Sequence, residues 1–424
     1  MSEFALTLWA WELTGSATAL ALVGFFSLLP RIFISIFAGI IVDCANRKYL
    51  MMLGDAIAAI STLFILLLHL SGNLAIWHLY LAASVNGGFG QIQQLAYSTS
   101  ITLLVSTQNY TRANSMNSVV HYGSNIIAPA IAGILYPIIG LGGILPIDLA
   151  TFFVAIATLI WIKIPQPDRE TALEDTATHK TRRNREVNKL GVFWSEVTFG
   201  IRYIWQRDSL RTLLLVTASF WFVHDLAETV GDPMILARSD NNSQVLGAIF
   251  SAAGIGGVTG AVVLSAWGGT QRRVNGMLAG FVGAGVAKAI FGLGQNLTIW
   301  LPAQFCSSLN FPLLGSSETA LWMEATPPEL QGRVFAANSL VLELVSAIAT
   351  LIAGPLSDRI LEPAMKSQNS FSFLFAPIFG SGAGAGMALL YVCCAIAMFL
   401  VGAVGFRLPP LHQLENAVSE EQNR

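Results

Sequence analysis

ATALALVGFFSLLPRIFISIFAGIIV, residues 17–42, carries a single charge, Arg31, in a run longer than the roughly 20 apolar residues that cross a bilayer core. A short polar turn, DCANRK (residues 43–48), follows at once, and then a second apolar run, Tyr49–Leu70. Inside lipid only helices and closed barrels satisfy every backbone hydrogen bond. These runs are continuous and lack the alternation of a barrel strand, so they read as helices.

Outward from this pair, spans are predicted at Leu74–Tyr97, Asn114–Ile139 and Ile147–Ile164. After a polar stretch come Leu210–Leu236, Val245–Ala266, Val274–Leu293, Ile299–Met323, Phe335–Ile360 and Met387–Phe406. Composition agrees: 54% of the 424 residues are hydrophobic and 11% charged, against about 25% charged in soluble domains. A formal charge of −2 gives no basic surface for nucleic acid. Cys306, Cys393 and Cys394 sit in apolar runs and Cys44 in a loop, so neither a disulfide nor a metal cage is expected. No charged n-region with a cleavage site opens the chain, and no signal peptide is expected. Phe4–Leu13 is apolar but ends at Thr14-Gly15, about half the length of a crossing; it is read as a truncated first span.

Basic residues orient the spans. Of the 23 Lys and Arg, Arg31 and Lys288 lie within spans, and Arg238, Arg359 and Lys366 on one side. The remaining 18 share the side of Arg47 and Lys48, which is therefore assigned to the cytoplasm. Residues 1–164 are read as an N-terminal bundle, 165–208 as a cytoplasmic linker, 209–406 as a C-terminal bundle and 407–424 as a cytoplasmic tail. Late in the linker, Phe193, Val197, Ile201 and Ile204 recur at helical spacing against Glu196, Arg202 and Arg207. That pattern suits an interfacial helix or an extension of the next span.

The halves repeat. RANSMNS from Arg112 aligns with RVFAANS from Arg333, and Arg47-Lys48 with Arg272-Arg273 at nearly the same offset. Such repeats mark transporters whose site lies between the halves near mid-membrane.

The loop GIIVDCANRK combines Gly39, where helices can approach, with Asp43, an acceptor for a helix N-terminus or an arginine, and the pair Arg47-Lys48. This resembles the signature loop of the major facilitator superfamily, with Cys44 and Asn46 departing from it and Gly268 in place of the aspartate in the second half. RANSMNS, ATPPELQGRVFA from Ala325, AGPLSDRILEPAM from Ala353 and GSGAGAGMALLYV from Gly380 are similar to the drug-efflux branch that includes macrolide exporters and the enterobactin exporter. The resemblance implies a major facilitator fold: an all-α membrane protein of two six-helix bundles, here with a short first helix. It also implies an inner gate of Gly39, Asp43, Arg47, Lys48, Arg112 and Arg333. APAIAG at 128–133 resembles an antiporter motif, with Ala128 for its usual glycine; Pro129 and Gly133 there, and Gly256 and Gly260 at GxxxG spacing, read as helix-packing positions.

Charges within spans are functional candidates because each is costly in lipid. Trp221, Asp225, Glu228 and Asp232 share one helix face, and Asp225 and Glu228 are the proton-coupling candidates. The span at residues 17–42 and the span Phe335–Ile360 face each other in the implied fold, so Arg31 and Glu343 are expected either to pair or to keep separate partners. A polar stripe of Asn117, His121 and Asn125, with Gln94 and Trp221, suits a wetted cavity or helix–helix hydrogen bonds. Asp55, Lys288 and Glu318 carry less weight: Asp55 near the surface, Lys288 snorkelling outward, Glu318 close to Glu324. No P-loop, nucleophile elbow or HExxH string is present, so neither an ATPase nor another enzyme is expected. The expectation is proton-driven export of an amphipathic small molecule (a drug, siderophore or peptide-like metabolite) by a cofactor-free monomer in the inner membrane. The rivals are an importer or flippase on the same scaffold, and a transport-inactive relative with a binding or regulatory role.

Overall fold

Gly15, at φ 56°, ends α1 (Ser2–Thr14), and Ser16 starts α2 (Ala17–Cys44) by accepting the Ala19 N–H at 3.3 Å. The same device, an Asn side chain on the first free N–H groups, starts α3 (Arg47–Leu70) at Asn46. In this computed structural model α4 (Ile76–Leu104) and α5 (Tyr110–Trp161) complete the first bundle. Residues 1–104, 110–162, 198–367 and 369–414 are described, without the side-chain surroundings of residues 36, 39, 40, 43, 44, 101–104, 110–122, 125 and 328.

The spans predicted at 114–139 and 147–164 are two helices within α5 that meet at Gly140, whose φ of 61° and ψ of −170° lie outside the helical region. Only glycine adopts that conformation freely, so the reversal needs no loop.

The second bundle holds α6 (Asp208–Arg238), α7 (Ser243–Trp267), α8 (Arg273–Leu293), α9 (Leu297–Glu324) and α10 (Pro328–Leu356). A π-helical turn, Ser357–Leu361, carries α10 into the short α11 (Glu362–Lys366); α12 (Ser370–Phe379) and α13 (Ala385–Gly405) follow. There is no strand among the described residues. Residues 198–205 are helical but separated from α6 by a turn at Gln206 and an extended Arg207. Tyr203 and Ile204 pack into the core of the second bundle, so this segment is not a continuation of α6. Phe193, Glu196 and Val197, and the linker before them, lie outside the described residues.

Eight stretches among the described residues are long and apolar enough to cross a membrane. Ile138, Phe153, Val154 and Trp161 stand exposed, an apolar surface that lipid solvates. Within the second bundle Gly256 and Gly260 let α7 approach α9 closely: an added Cβ would sit 2.4 Å from the carbonyl oxygens of Phe305 and Leu309. The bundles meet through α2 against α10 and α5 against α7.

Sequence reading placed no element at α12, ten residues bounded by the Asn369 cap and Gly380 and too short to cross. It also gave Arg238 only a place on the sparsely charged side. Arg238 ties this corner together, donating to the carbonyls of Gly294 at 2.9 Å and Phe379 at 2.8 Å at the ends of α8 and α12. Glu362 caps α13 in parallel, accepting the N–H groups of Gly386 and Met387 at 3.0 and 3.2 Å. Arg238→Ala strands both carbonyls and should lower stability by about 3 kcal/mol, two charged hydrogen bonds' worth, measurable as a drop in the thermal unfolding midpoint in detergent.

Candidate functional site

The site is built on α6. Trp221, Asp225, Glu228 and Asp232 follow one another at three- and four-residue steps, with His224 beside them, so they form one polar face of an otherwise apolar helix. That face looks toward the other bundle, since Asp232 interacts electrostatically with Glu3 on α1 and α6 touches α2.

Glu228 is bound by Lys288 of α8, whose ammonium also reaches the Tyr391 hydroxyl on α13 at 3.2 Å. The lysine side chain is 1% exposed, the glutamate 48%. The ion pair therefore joins a sealed three-helix junction to open space on the α6 face. This corrects the expectation that Lys288 snorkels outward. Phe281, Ala284, Lys288 and Phe291 lie at helical spacing and all four are buried, so the lysine occupies a core position of α8. That spacing is legible in the sequence and was the available signal.

His224 bridges the carboxylates, with Nδ1 3.0 Å from Asp225 Oδ1 and Nε2 3.9 Å from Glu228 Oε1. Trp221 Nε1–H donates to Glu318 Oε2 at 3.3 Å. Glu318, also given low weight, is buried, and Glu324 instead pairs with Arg273 at 2.9 Å. The rings of Trp221 and Phe311 each lie 5.1 Å from His224, edge to face, so apolar area adjoins the charged groups.

Arg31 and Glu343 face each other across the bundles. Glu343 feels the Arg31 charge, while the guanidinium Nε donates to Gln91 Oε1 at 3.0 Å within its own bundle. Arg47 Nη1 donates to the Thr99 carbonyl at 2.8 Å. Lys48 Nζ donates to those of Ile160 and Ile162 at 2.9 and 2.8 Å, tying the start of α3 to the end of α5. The Arg333 guanidinium lies 5.4 Å over the Phe199 ring. Asp55 accepts from Gln93 at 2.6 Å, and Gln94 is exposed on α4. The surroundings of Gly39, Asp43, Arg112, Asn117, His121 and Asn125 lie outside the described residues.

Among the described residues, contacts between the bundles gather toward the basic-poor face, the one carrying the α1–α2 and α6–α7 connections. Ser243 Oγ–H donates to the Gly133 carbonyl at 2.9 Å, and Trp11 Nε1–H to Asn241 Oδ1 at 2.7 Å. A Cβ on Gly133 would meet Ser243 O at 2.7 Å, and one on Gly247 would meet Pro129 O at 2.8 Å. On the same side Asp358, which lies in the AGPLSDRILEPAM string but was given no role there, bonds to the start of α2. No group of His, Cys, Asp and Glu among the described residues is arranged to hold a metal ion.

The profile of the Major Facilitator Superfamily matches residues 3–350. Macrolide efflux protein A of Streptococcus pyogenes is 24% identical over 362 residues, 84% of this chain and 85% of that protein. Multidrug efflux pump Tap of Mycolicibacterium fortuitum is 22% identical over 415 residues, 95% of this chain and 90% of that one. Among solved structures, a bacterial homolog of the human lysosomal transporter Spinster superposes with a TM-score of 0.65 at 16% identity, covering 96% of this chain and 92% of that one.

Proposed function

The chain belongs to the Major Facilitator Superfamily, and on that premise we propose that it exports an amphipathic small molecule by alternating access, driven by an inward proton gradient. The basic face, with the linker and the tail, is cytoplasmic in this reading, the membrane is the bacterial inner membrane, and the working unit is a monomer. One observation carries it: Glu228, held by a sealed lysine on one side, opens on the other to the space that the α6 face shares with the opposite bundle. The ion pair holds this carboxyl ionised, so proton uptake from that space requires the pair with Lys288 to open, and Asp225 lies beside it, within reach of His224. Trp221 and Phe311 beside them supply apolar contact for a solute. The efflux functions in the names of the macrolide and multidrug relatives support the outward direction.

The test is transport in vesicles of the purified protein, with a macrolide and a panel of amphipathic dyes, with and without a pH gradient. Gradient-dependent movement should be lost in Glu228→Gln and strongly reduced in Asp225→Asn. Full gradient-driven transport in both variants removes these residues from coupling, and transport indifferent to the gradient removes proton antiport.

A further inference from the structure

One cross-bundle contact is made by a carboxylate. Asp358 lies in the π-helical turn that follows α10, and both its oxygens reach the first residues of α2 in the other bundle. Oδ2 accepts Ser16 Oγ–H at 2.6 Å and the Thr18 N–H at 2.8 Å; Oδ1 accepts the Ala17 N–H at 3.2 Å. The first N–H groups of a helix have no partner of their own and carry the positive end of its dipole. A carboxylate there forms charge-assisted bonds, roughly twice as strong as neutral ones. Ser16 is already the local cap of α2, so Asp358 is a second cap, supplied from more than 300 residues away in sequence and from the opposite half of the protein.

The approach is close enough to make the contact all-or-none. Gly354, one turn before Asp358, leaves no room for a side chain: a Cβ would lie 2.5 Å from Thr18 Cα. The π turn sets the direction of Asp358, since its wider coil displaces the residues after α10 from the helical register of those before them. A cap within one bundle would be indifferent to rocking. This one has to break whenever α2 and α10 part at the basic-poor face.

We propose that Asp358 is the gate residue of that face: its cap on α2 holds the interior closed to the basic-poor side and must be withdrawn before the interior can open there. The inference stands on hydrogen bonds between the bundles and does not depend on what is carried or on what drives it.

The test measures bundle separation without substrate or pH gradient, so a failure of proton antiport leaves it standing. In full-length protein with its four native cysteines replaced by serine, spin labels are placed at Asn73→Cys and Gln295→Cys, exposed positions on basic-poor loops of different bundles. Asp358→Ala should raise the ratio of the long-distance to the short-distance population about fivefold, the effect of losing one side-chain cap. Ser16→Ala, which removes one of the three bonds, should shift it in the same direction by less. A thermal unfolding midpoint measured on each variant confirms the fold; should Asp358→Ala not fold, the Ser16→Ala and Asp358→Asn distributions decide. Folded variants whose distance distributions match the unsubstituted protein overturn the proposal.

Discussion

Replacing Glu228 by Gln should destabilise the protein by about 3–5 kcal/mol, the usual consequence of removing one partner of a buried ion pair. Lys288 has nowhere else to place its charge: its side chain is 1% exposed, and the Tyr391 hydroxyl is its other partner. The reverse change, Lys288→Met, should do less harm. The carboxylate it leaves behind is 48% exposed and can be hydrated from the space on the α6 face. Glu228→Gln/Lys288→Met together should recover most of the loss, because an apolar replacement of a buried pair is often close to neutral. A double-mutant cycle of unfolding in detergent reads all three. Simple additivity in the double would mean that the pair does not exist in the folded protein, and equal losses in the two single variants would mean that the two charges are equally sealed. The same asymmetry bears on transport assays: loss of export in Glu228→Gln has to be read beside Glu228→Gln/Lys288→Met, which separates a missing proton site from a weakened fold.

The division between what could and could not be read beforehand follows the range of the forces involved. Span positions come from local hydrophobicity, and the ends of α2, α7, α8, α9 and α13 fall within a few residues of expectation. The two helices expected at 114–139 and 147–164 are likewise present, and what local reading left open is that Gly140 joins them without a loop. The acidic face of α6 was legible because its spacing lies within one helix. Its cation was not, because Lys288 comes from another helix 60 residues on, and only the buried register of α8 hints that the lysine points inward. Asp358 was missed for the same reason. Two of its three partners are backbone N–H groups, which every residue possesses and no motif records, and the third is the Ser16 hydroxyl.

Two kinds of close glycine contact predict opposite outcomes from similar substitutions. Gly256 and Gly260 pack α7 on α9 inside one bundle, where bulk can be relieved only by unpacking the helices. Gly256→Val should therefore destabilise by about 1–3 kcal/mol, as overpacking does elsewhere. Gly133 and Gly354 meet the opposite bundle, with an added Cβ 2.7 Å from Ser243 O and 2.5 Å from Thr18 Cα respectively. There a rigid pivot removes the clash without disturbing either core. Gly133→Trp/Gly354→Trp should accordingly keep a cooperative unfolding transition close to that of the unsubstituted protein while blocking closure of the basic-poor face. In the proposed alternating-access cycle transport runs through that closed state in proportion to its population, so the initial rate in vesicles should fall by about a hundredfold. A folded double variant that still transports at full rate would show that closure at Gly133 and Gly354 is no part of the cycle. Loss of cooperative unfolding would show that the bundles do not move as separate bodies.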